Sequence, residues 1–372
     1  MTTLSRKKEF NSSVELLRII CTLMVIGIHT LMNFRTTSNF VNYDVLFMES
    51  FLRSCVPIFF MISGFFLLKS NSTTKQLFKR LLFNIVIPTL IMLFLLQWFD
   101  GFIYSKNSLQ QILFSFSIDY EGLFSSILSF NTPLGASFYL WYIFSLVFLY
   151  LWTPLLRLFC KDTQEHNNLR RGLMLLAFVS LIIVPTLSAI FPDLWSIHIP
   201  SVIPDHYIFY ALIGFELRLY WDKHPDFFRK TKTRVLSLSL FIGASLINFW
   251  WAIIFDIQVN QRLTSIFYTY NMFLVFVQGV ALFSFFLGLS IKKEKVKAMI
   301  NSVGNKCFYI YLFHMPIILK LQTSSRAIQW QKSLGLSFYP LFIIGIFLIC
   351  LLLAYIVQYI TSFTYRAIKK KS

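Results

Sequence analysis

Long apolar runs separated by short basic segments are the feature that most constrains this chain. A helix needs about 20 mostly apolar residues to cross the hydrocarbon core of a bilayer. Such length predicts transmembrane helices, and their number predicts an all-α polytopic bundle. The ten candidate spans are Val14–Phe34, Val45–Leu68, Leu81–Phe99, Ser137–Leu158, Gly172–Phe191, Tyr207–Trp221, Val235–Phe255, Ile266–Ser290, Val303–Leu321 and Ser337–Phe363.

The composition agrees with a membrane domain. Of the 372 residues, 56% are hydrophobic and only 13% are charged, whereas soluble domains carry about 25% charged residues. The size fits one membrane domain, which we place at residues 11–363. A cytoplasmic tail of residues 1–10 precedes it in this interpretation, and a basic cytoplasmic tail of residues 364–372 follows it.

The basic residues predict the orientation. With the N-terminus in the cytoplasm, the ten spans put 26 of the 34 Lys and Arg residues in cytoplasmic segments and 6 in external ones. Basic residues favour the cytoplasmic side of membrane proteins. The bias predicts that both termini are cytoplasmic, and we expect the protein to lie in the cell membrane. It also spreads the net charge of +18 over short loops, which argues against a nucleic-acid partner.

Two other patterns are weaker. The segment Gly101–Ala136 is too long for a tight turn, and its apolar residues at helical spacing predict an interfacial amphipathic helix. These residues are Leu109, Ile112, Leu113 and Phe116. The five cysteines lie mostly within apolar runs and form no CxxC or Cys/His pattern, so we expect small buried hydrophobes, with neither disulfides nor a metal site.

The first span carries Glu15, Arg18 and His29. Eleven residues make about three helical turns, so Arg18 and His29 share a face and lie about 16 Å apart along the axis. Glu15 precedes Arg18 by three residues and can pair with it. Such residues are costly in lipid and indicate a functional site. The alternatives are an arginine that snorkels to the headgroups and a histidine hydrogen-bonded in the core.

The second span contains Glu49 and Arg53 at a spacing of four, which predicts an ion pair on one helix face. Pro57 is expected to kink the helix and to free a carbonyl, and Ser63-Gly64 to allow a close helix approach. Ion pairing and packing alone are the alternative to a functional role.

Later spans add aromatic and polar candidates. Trp141 and Tyr142 begin the fourth span, where aromatic residues first indicate an interfacial belt. His314 lies about a dozen residues into the ninth span and is either a site residue or a structural one. Asn248 is one of several isolated polar residues that the sequence does not connect to any motif.

Four of these patterns together resemble the membrane acyltransferase-3 family. The resemblance runs from about Asn11 to Phe363 and rests on motifs in the family's order. These are Glu15-Leu-Leu-Arg18 followed by His29 after ten residues, Arg53 with Val56-Pro57-Ile-Phe-Phe60 and Ser63-Gly64, Trp141-Tyr142 with Tyr150 and Pro154, and Ser302 with Gly304 and Ile310-Tyr-Leu-Phe-His314.

The resemblance implies a ten-helix membrane O-acyltransferase of the stand-alone type. Its donor would be cytoplasmic acetyl-CoA or another acyl-CoA, and its acceptor a hydroxyl of a cell-surface or lipid-linked polysaccharide. Whether transfer is direct or passes through a separate extracytoplasmic transferase stays open at this point.

The roles expected of the residues follow from that chemistry. Arg18, near the cytoplasmic end, would bind the donor phosphates with Glu15 beside it. His29 would act as general base or carry a transient acyl group, and Arg53 would stabilise the oxyanion. Substrate binding is expected at His314, Trp141 and Tyr142.

Two other classes compete with an acyltransferase. Intramembrane Arg, Glu and His also line translocation paths, so a transporter or flippase of an envelope glycan intermediate is the main alternative. A glycan polymerase or ligase is the third. Such enzymes commonly place functional residues in a large external loop, and the long external segment here carries little charge.

Overall fold

A computed structural model describes residues 3–32, 34–37, 40–104, 138–161, 163–191, 203–259, 266–322, 324, 329–330 and 333–369. Its helices, in chain order, are α1 (Thr3–Met32), α2 (Tyr43–Ser50), α3 (Cys55–Leu67), α4 (Thr74–Leu81), α5 (Ile87–Tyr104), α6 (Trp141–Phe159), α7 (Gln164–Phe178), α8 (Val184–Ile190), α9 (His206–Lys223), α10 (Pro225–Arg229), α11 (Thr231–Trp251), α12 (Phe273–Leu287), α13 (Glu294–Gly304), α14 (Cys307–Gln322) and α15 (Phe338–Lys369). An antiparallel pair of two-residue strands, β1 (Thr36–Thr37) and β2 (Phe40–Val41), joins α1 to α2.

The predicted all-α membrane fold is confirmed. Within the described ranges, eight helical stretches are long and apolar enough to cross a membrane, and each overlaps a predicted span. The two other predicted spans are helical as well. One of them, His206–Lys223, carries four charged residues, and the other, Cys307–Gln322, is only 16 residues long. The side of the membrane on which each terminus lies stays a prediction. The amphipathic helix predicted within 101–136 lies outside the described residues beyond Tyr104.

The chain forms two compact units. Unit 1 comprises Met1–Ser72 and Trp152–Gly304, and unit 2 comprises Thr73–Leu151 and Asn305–Ser372. In unit 1, α3 packs closely against α9, and α11 packs against α12. In unit 2, α14 packs against α15 and α5.

The contact between α3 and α9 depends on two glycines, as Ser63-Gly64 predicted for the first of them. A Cβ at Gly64 would overlap the backbone carbonyl of Ala211, and a Cβ at Gly214 would overlap that of Met61. Backbone atoms cannot move aside as a flexible side chain can, so both positions require glycine. The two helices therefore approach backbone to backbone, which is typical of helix pairs in membranes.

The second predicted span is not one continuous helix, and the expected kink at Pro57 is wrong. The helix ends at Ser50, a turn follows over residues 51–54, and α3 begins at Cys55. Pro57 lies in the first turn of α3, where a backbone N–H would have no helical acceptor. The break therefore precedes the proline, and it lies where Arg53 joins the ion pair described below.

In the described part of the chain, π-helical turns occur at Leu82–Val86, at Val179–Ile183 and, directly after α11, at Ala252–Val259. After each of the first two, a proline follows two residues later and removes one helical hydrogen bond. The next residues, Thr89 and Thr186, donate their hydroxyls to the carbonyl one turn back, at 2.7 Å in both helices. The same local arrangement, a π-helical turn followed by a proline and a hydrogen-bonded threonine, therefore occurs in both units.

Candidate active site

The ion pair predicted on α1 is present. Arg18 Nη1 donates to both carboxylate oxygens of Glu15, at 2.8 and 2.9 Å. The carboxylate lies against Gly304 of α13, where a Cβ would overlap Oε2. The glycine of the fourth sequence motif thus makes room for Glu15. Arg18 keeps 27% of its side chain exposed, so the residue is partly accessible.

His29 lies in the last turn of the same helix and is partly buried. Since α1 is continuous from Thr3 to Met32, the side chains of Arg18 and His29 lie on one face, about 16 Å apart along the axis. The cationic group and the imidazole therefore occupy different depths of one helix.

A buried charge cluster surrounds the break between α2 and α3. Glu49, which has no exposed surface, accepts hydrogen bonds from two arginines. Arg35 donates through Nε to Oε2 at 2.7 Å and through Nη2 to Oε1, and Arg53 donates through Nη2 to Oε1. The spacing of four residues predicted the pairing of Glu49 with Arg53, and that prediction is confirmed.

This charge cluster carries one net positive charge when its three groups are ionised. The Arg53 guanidinium also lies over the Tyr268 ring, 5.0 Å from its centroid, and hydrogen-bonds the phenol of Tyr270. Its buried Nε has no hydrogen-bond partner among the residues that the structure describes. A desolvated cation with a spare donor stabilises negative charge that develops beside it.

The sequence did not predict that Arg35 belongs to this cluster. Arg35 follows α1, and the hairpin of β1 and β2 reverses the chain so that the backbone N–H of Asn42 donates to the Arg35 carbonyl at 2.8 Å. Asn42 then caps α2 through its side chain. The hairpin and the cap together place Arg35 next to Glu49, which lies 14 residues further along the chain.

In unit 2, a neutral polar cluster joins the start of α6 to α14. Pro316 has no N–H, so the Leu312 carbonyl loses its helical donor. The phenol of Tyr139 donates to that carbonyl at 2.5 Å. In return, the phenol of Tyr311 donates to the Tyr139 carbonyl. The two phenols therefore fasten the two segments by satisfying backbone carbonyls.

This neutral cluster contains the three predicted substrate-binding residues. His314 is fully buried, and its ring lies 5.1 Å from that of Tyr139. Tyr142 lies 5.3 Å from the Tyr311 ring, and Trp141 lies 6.3 Å from Tyr142. Nδ1 of His314 is 2.5 Å from the Tyr311 carbonyl, which can only accept, so Nδ1 carries the proton and Nε2 is the basic nitrogen.

The five cysteines, which were expected to be small hydrophobes, are buried thiols. Burial raises the pKa of Cys160 to about 12, so this thiol is not a nucleophile near neutral pH. Among the described residues, no group of three or more His, Cys, Asp and Glu side chains is arranged to hold a metal ion.

The structure thus groups the predicted site residues into three sets. Glu15 and Arg18 pair on α1 with His29 further along, Arg53 belongs to the charge cluster, and His314, Trp141 and Tyr142 share the neutral cluster. The catalytic and binding roles of these residues stay predictions.

Comparison with known proteins supports the sequence motifs. The model of an acyltransferase-domain family, acyltransferase-3, matches residues 11–355, which is nearly the range of the predicted membrane domain. No curated protein and no solved structure matches the chain significantly. Since the family match extends over almost the whole chain, this multi-pass membrane protein belongs to the acyltransferase-3 family and is an acyltransferase that moves groups other than aminoacyl groups.

Proposed function

We propose that the protein transfers an acyl group, in the simplest case acetyl, from cytoplasmic acyl-CoA to a hydroxyl of a cell-surface or lipid-linked polysaccharide. The setting would be the cell membrane. The observation that carries this proposal, beside the family, is the buried charge cluster of Arg35, Glu49 and Arg53 with its net positive charge. Acyl transfer from a thioester passes through an oxyanion, which such a group stabilises.

The donor end of the site would be at Glu15 and Arg18. Coenzyme A carries all its phosphates at one end and its thiol at the other. Arg18 is held by Glu15 through Nη1 alone and is partly exposed, so the rest of its guanidinium can meet a phosphate. The pantetheine arm would then run along α1 toward His29.

The chemical step would use His29 as the general base. The imidazole takes the proton of the acceptor hydroxyl, whose oxygen forms a bond to the thioester carbon. The carbon–sulfur bond then breaks, and the coenzyme A thiolate leaves and receives the proton. Arg53 would donate to the oxyanion between these steps. Its ties to Glu49 and Tyr268 hold the guanidinium in place, so little reorganisation accompanies the reaction.

The neutral cluster of unit 2 would contribute to substrate binding through Trp141, Tyr142 and His314. Aromatic rings offer flat apolar surface with polar edges, which suits the faces of sugar rings. Nε2 of His314 would accept a hydrogen bond from a hydroxyl, because Nδ1 is committed to the Tyr311 carbonyl.

Two measurements test the proposed function. Mass spectrometry of envelope glycans from cells with and without the gene should show loss of an acetyl increment from one glycan when the gene is absent. An unchanged glycan profile would exclude acetylation of those glycans.

The second measurement is transfer by His29→Ala at equal membrane abundance. Loss of a general base lowers the rate by about 10²–10⁴-fold. His224→Ala is the matched control, since His224 is exposed at the end of α9 and should leave transfer unchanged. Undiminished transfer by His29→Ala would remove His29 from the mechanism.

A further inference from the structure

Three helices of unit 1 meet at a buried, uncharged polar cluster. Gln278 of α12 donates through Nε2 to the Ser50 carbonyl at the end of α2 and to the Ser245 hydroxyl of α11, both at 3.0 Å. Gln278 and Ser245 have no exposed surface. We call Gln278, Ser245, Asn248 and Ser54 the amide cluster.

Asn248 follows Ser245 by three residues and therefore lies one turn further along the same face of α11. The ring of Phe249, the next residue, lies 5.4 Å from that of Phe47 on α2. The π-helical turn that follows α11 contributes Ala252 to an apolar cluster with Leu46. Asn248 thus lies beside α2, between the levels of Ser50 and Leu46.

The amide cluster adjoins the charge cluster. Tyr268 packs with Leu46 and Ala252 and donates its phenol to the Leu46 carbonyl at 3.0 Å. The Arg53 guanidinium lies above the same ring. Tyr268 therefore lies between the turn that follows Asn248 and the cation proposed to hold the oxyanion.

The amide cluster holds polar atoms that have no hydrogen-bond partner in the described part of the chain. They are both side-chain atoms of Asn248, Oε1 of Gln278 and Oγ of Ser54. All three residues have no exposed surface. A buried amide without partners costs several kcal/mol in an apolar medium, and buried polar groups in proteins are almost always bonded. The arrangement is therefore incomplete without a further polar group.

The chemistry of these atoms indicates which group completes it. An anion needs donors, and Oε1 of Gln278 and Oδ1 of Asn248 are acceptors. A hard cation prefers carboxylates, and the amide cluster contains none. A hydroxyl both donates and accepts without charge, so it matches both the Asn248 amide and the Gln278 oxygen.

We propose that the amide cluster binds a hydroxyl of the acyl acceptor, with Asn248 and Gln278 as its partners. This inference rests on the proposed function and assigns its acceptor-binding residues. The acceptor sugar would be held beside Arg53, while the phosphates of the donor would be held at Glu15 and Arg18 on α1. Loss of the Asn248 amide should then weaken acceptor binding and leave donor binding unchanged.

The test uses the full-length protein in lipid nanodiscs, where both faces are accessible. The probes are radiolabelled acetyl-CoA and de-O-acetylated envelope polysaccharide from cells that lack the gene. Asn248→Leu keeps the volume and removes every hydrogen bond. We expect it to raise the KM for polysaccharide at least about tenfold, the factor that about 1.4 kcal/mol of lost binding produces, with the KM for acetyl-CoA unchanged.

Thr89→Val is the matched control. Thr89 is also buried in a span, but its hydroxyl bonds to the Ile85 carbonyl of its own helix, so both KM values should stay at the wild-type level. If Asn248→Leu changes neither KM, the cluster holds an internal water only, and the proposal is wrong. Equal increases in both KM values would indicate general damage and would also overturn it.

A binding measurement separates this inference from the proposed function. Saturation-transfer NMR with methyl β-D-glucopyranoside needs no acyl transfer. The wild-type protein should give a saturation-transfer NMR signal from the bound sugar. Asn248→Leu should reduce this signal several-fold, and Thr89→Val should leave it unchanged. If the NMR signal is present but the protein transfers no acetyl group, the proposed function is refuted and the hydroxyl site is kept. If wild type and Asn248→Leu give equal NMR signals, or neither gives one, the hydroxyl site is refuted.

Discussion

The charge cluster of unit 1 and the neutral cluster of unit 2 are built on opposite principles. In unit 1, Glu49 is held between Arg35 and Arg53, so ion pairs dominate. In unit 2, Tyr139 and Tyr311 donate to backbone carbonyls, and all contacts described among them are between neutral groups. Pro57 follows the charge cluster in the chain and lies in the first turn of α3, whereas Pro316 follows the neutral cluster and lies in the interior of α14.

The difference shows two ways to place polar groups in a membrane. A charged group needs its counter-charge, because desolvation of an unpaired ion costs several kcal/mol. A neutral cluster needs only a free carbonyl, which an interior proline supplies without any charge. The charge cluster should therefore respond most to changes of charge, and the neutral cluster to changes of backbone hydrogen bonding.

The largest effect is expected from Glu49→Gln. This change leaves the buried Arg53 and the partly buried Arg35 without their carboxylate. Removal of one partner from a buried pair costs about 3–5 kcal/mol. Reversible unfolding of the purified protein in bilayers would measure the loss. Glu165→Gln, at an exposed position in the first turn of α7, is the control and should be neutral. Equal stabilities of the two variants would contradict the charge-pairing account.

A smaller effect is expected from Tyr139→Phe, which leaves the Leu312 carbonyl without its donor. An unsatisfied buried carbonyl costs about 1–3 kcal/mol. The same unfolding measurement should show much less loss when Tyr139→Phe is combined with Pro316→Ala, because alanine returns an N–H to the helix. Tyr359→Phe, on an exposed residue, is the control. Additive losses in the double variant would exclude the role assigned to Pro316.

The smallest effect is expected from Pro57→Ala. Pro57 lies in the first turn of α3, where its missing N–H has no acceptor, so the substitution acts mainly through the unfolded chain and costs about 0.4–1 kcal/mol. Its effect should not depend on Arg53, which a double-mutant cycle with Arg53→Gln would show. Strong coupling between the two positions would mean that the proline shapes the charge cluster.

Local spacing predicted much of unit 1. The pairs Glu15–Arg18 and Glu49–Arg53 follow from the helix repeat, and Gly64 was expected at a close helix contact. These features depend on residues within one turn or on the absence of a side chain. The sequence was also sufficient for the apolar spans, because lipid imposes length and composition directly.

The features that the sequence did not predict depend on contacts between segments that are far apart in the chain. Arg35 reaches Glu49 only because a hairpin reverses the chain, and Gln278 reaches Ser50 across 228 residues. No local period connects such positions. The break after Ser50 was not predicted, because the apolar pattern continues through it and Pro57 lies within the next helix.

The π-helical turns at Leu82–Val86 and Val179–Ile183 have a consequence for the surfaces of their helices. A π turn closes its hydrogen bond over five residues instead of four, so it contains one additional residue, which rotates the following face by about 100°. A helix with such a turn presents one side to its neighbours before the π-helical turn and another side after it. Removal of one residue from Val179–Ile183 would turn Thr186 away from the Phe273 N–H, to which it is bound at 2.8 Å. The additional residue thus sets the rotation of the second half of the helix relative to the first, and with it the neighbours that each half can contact.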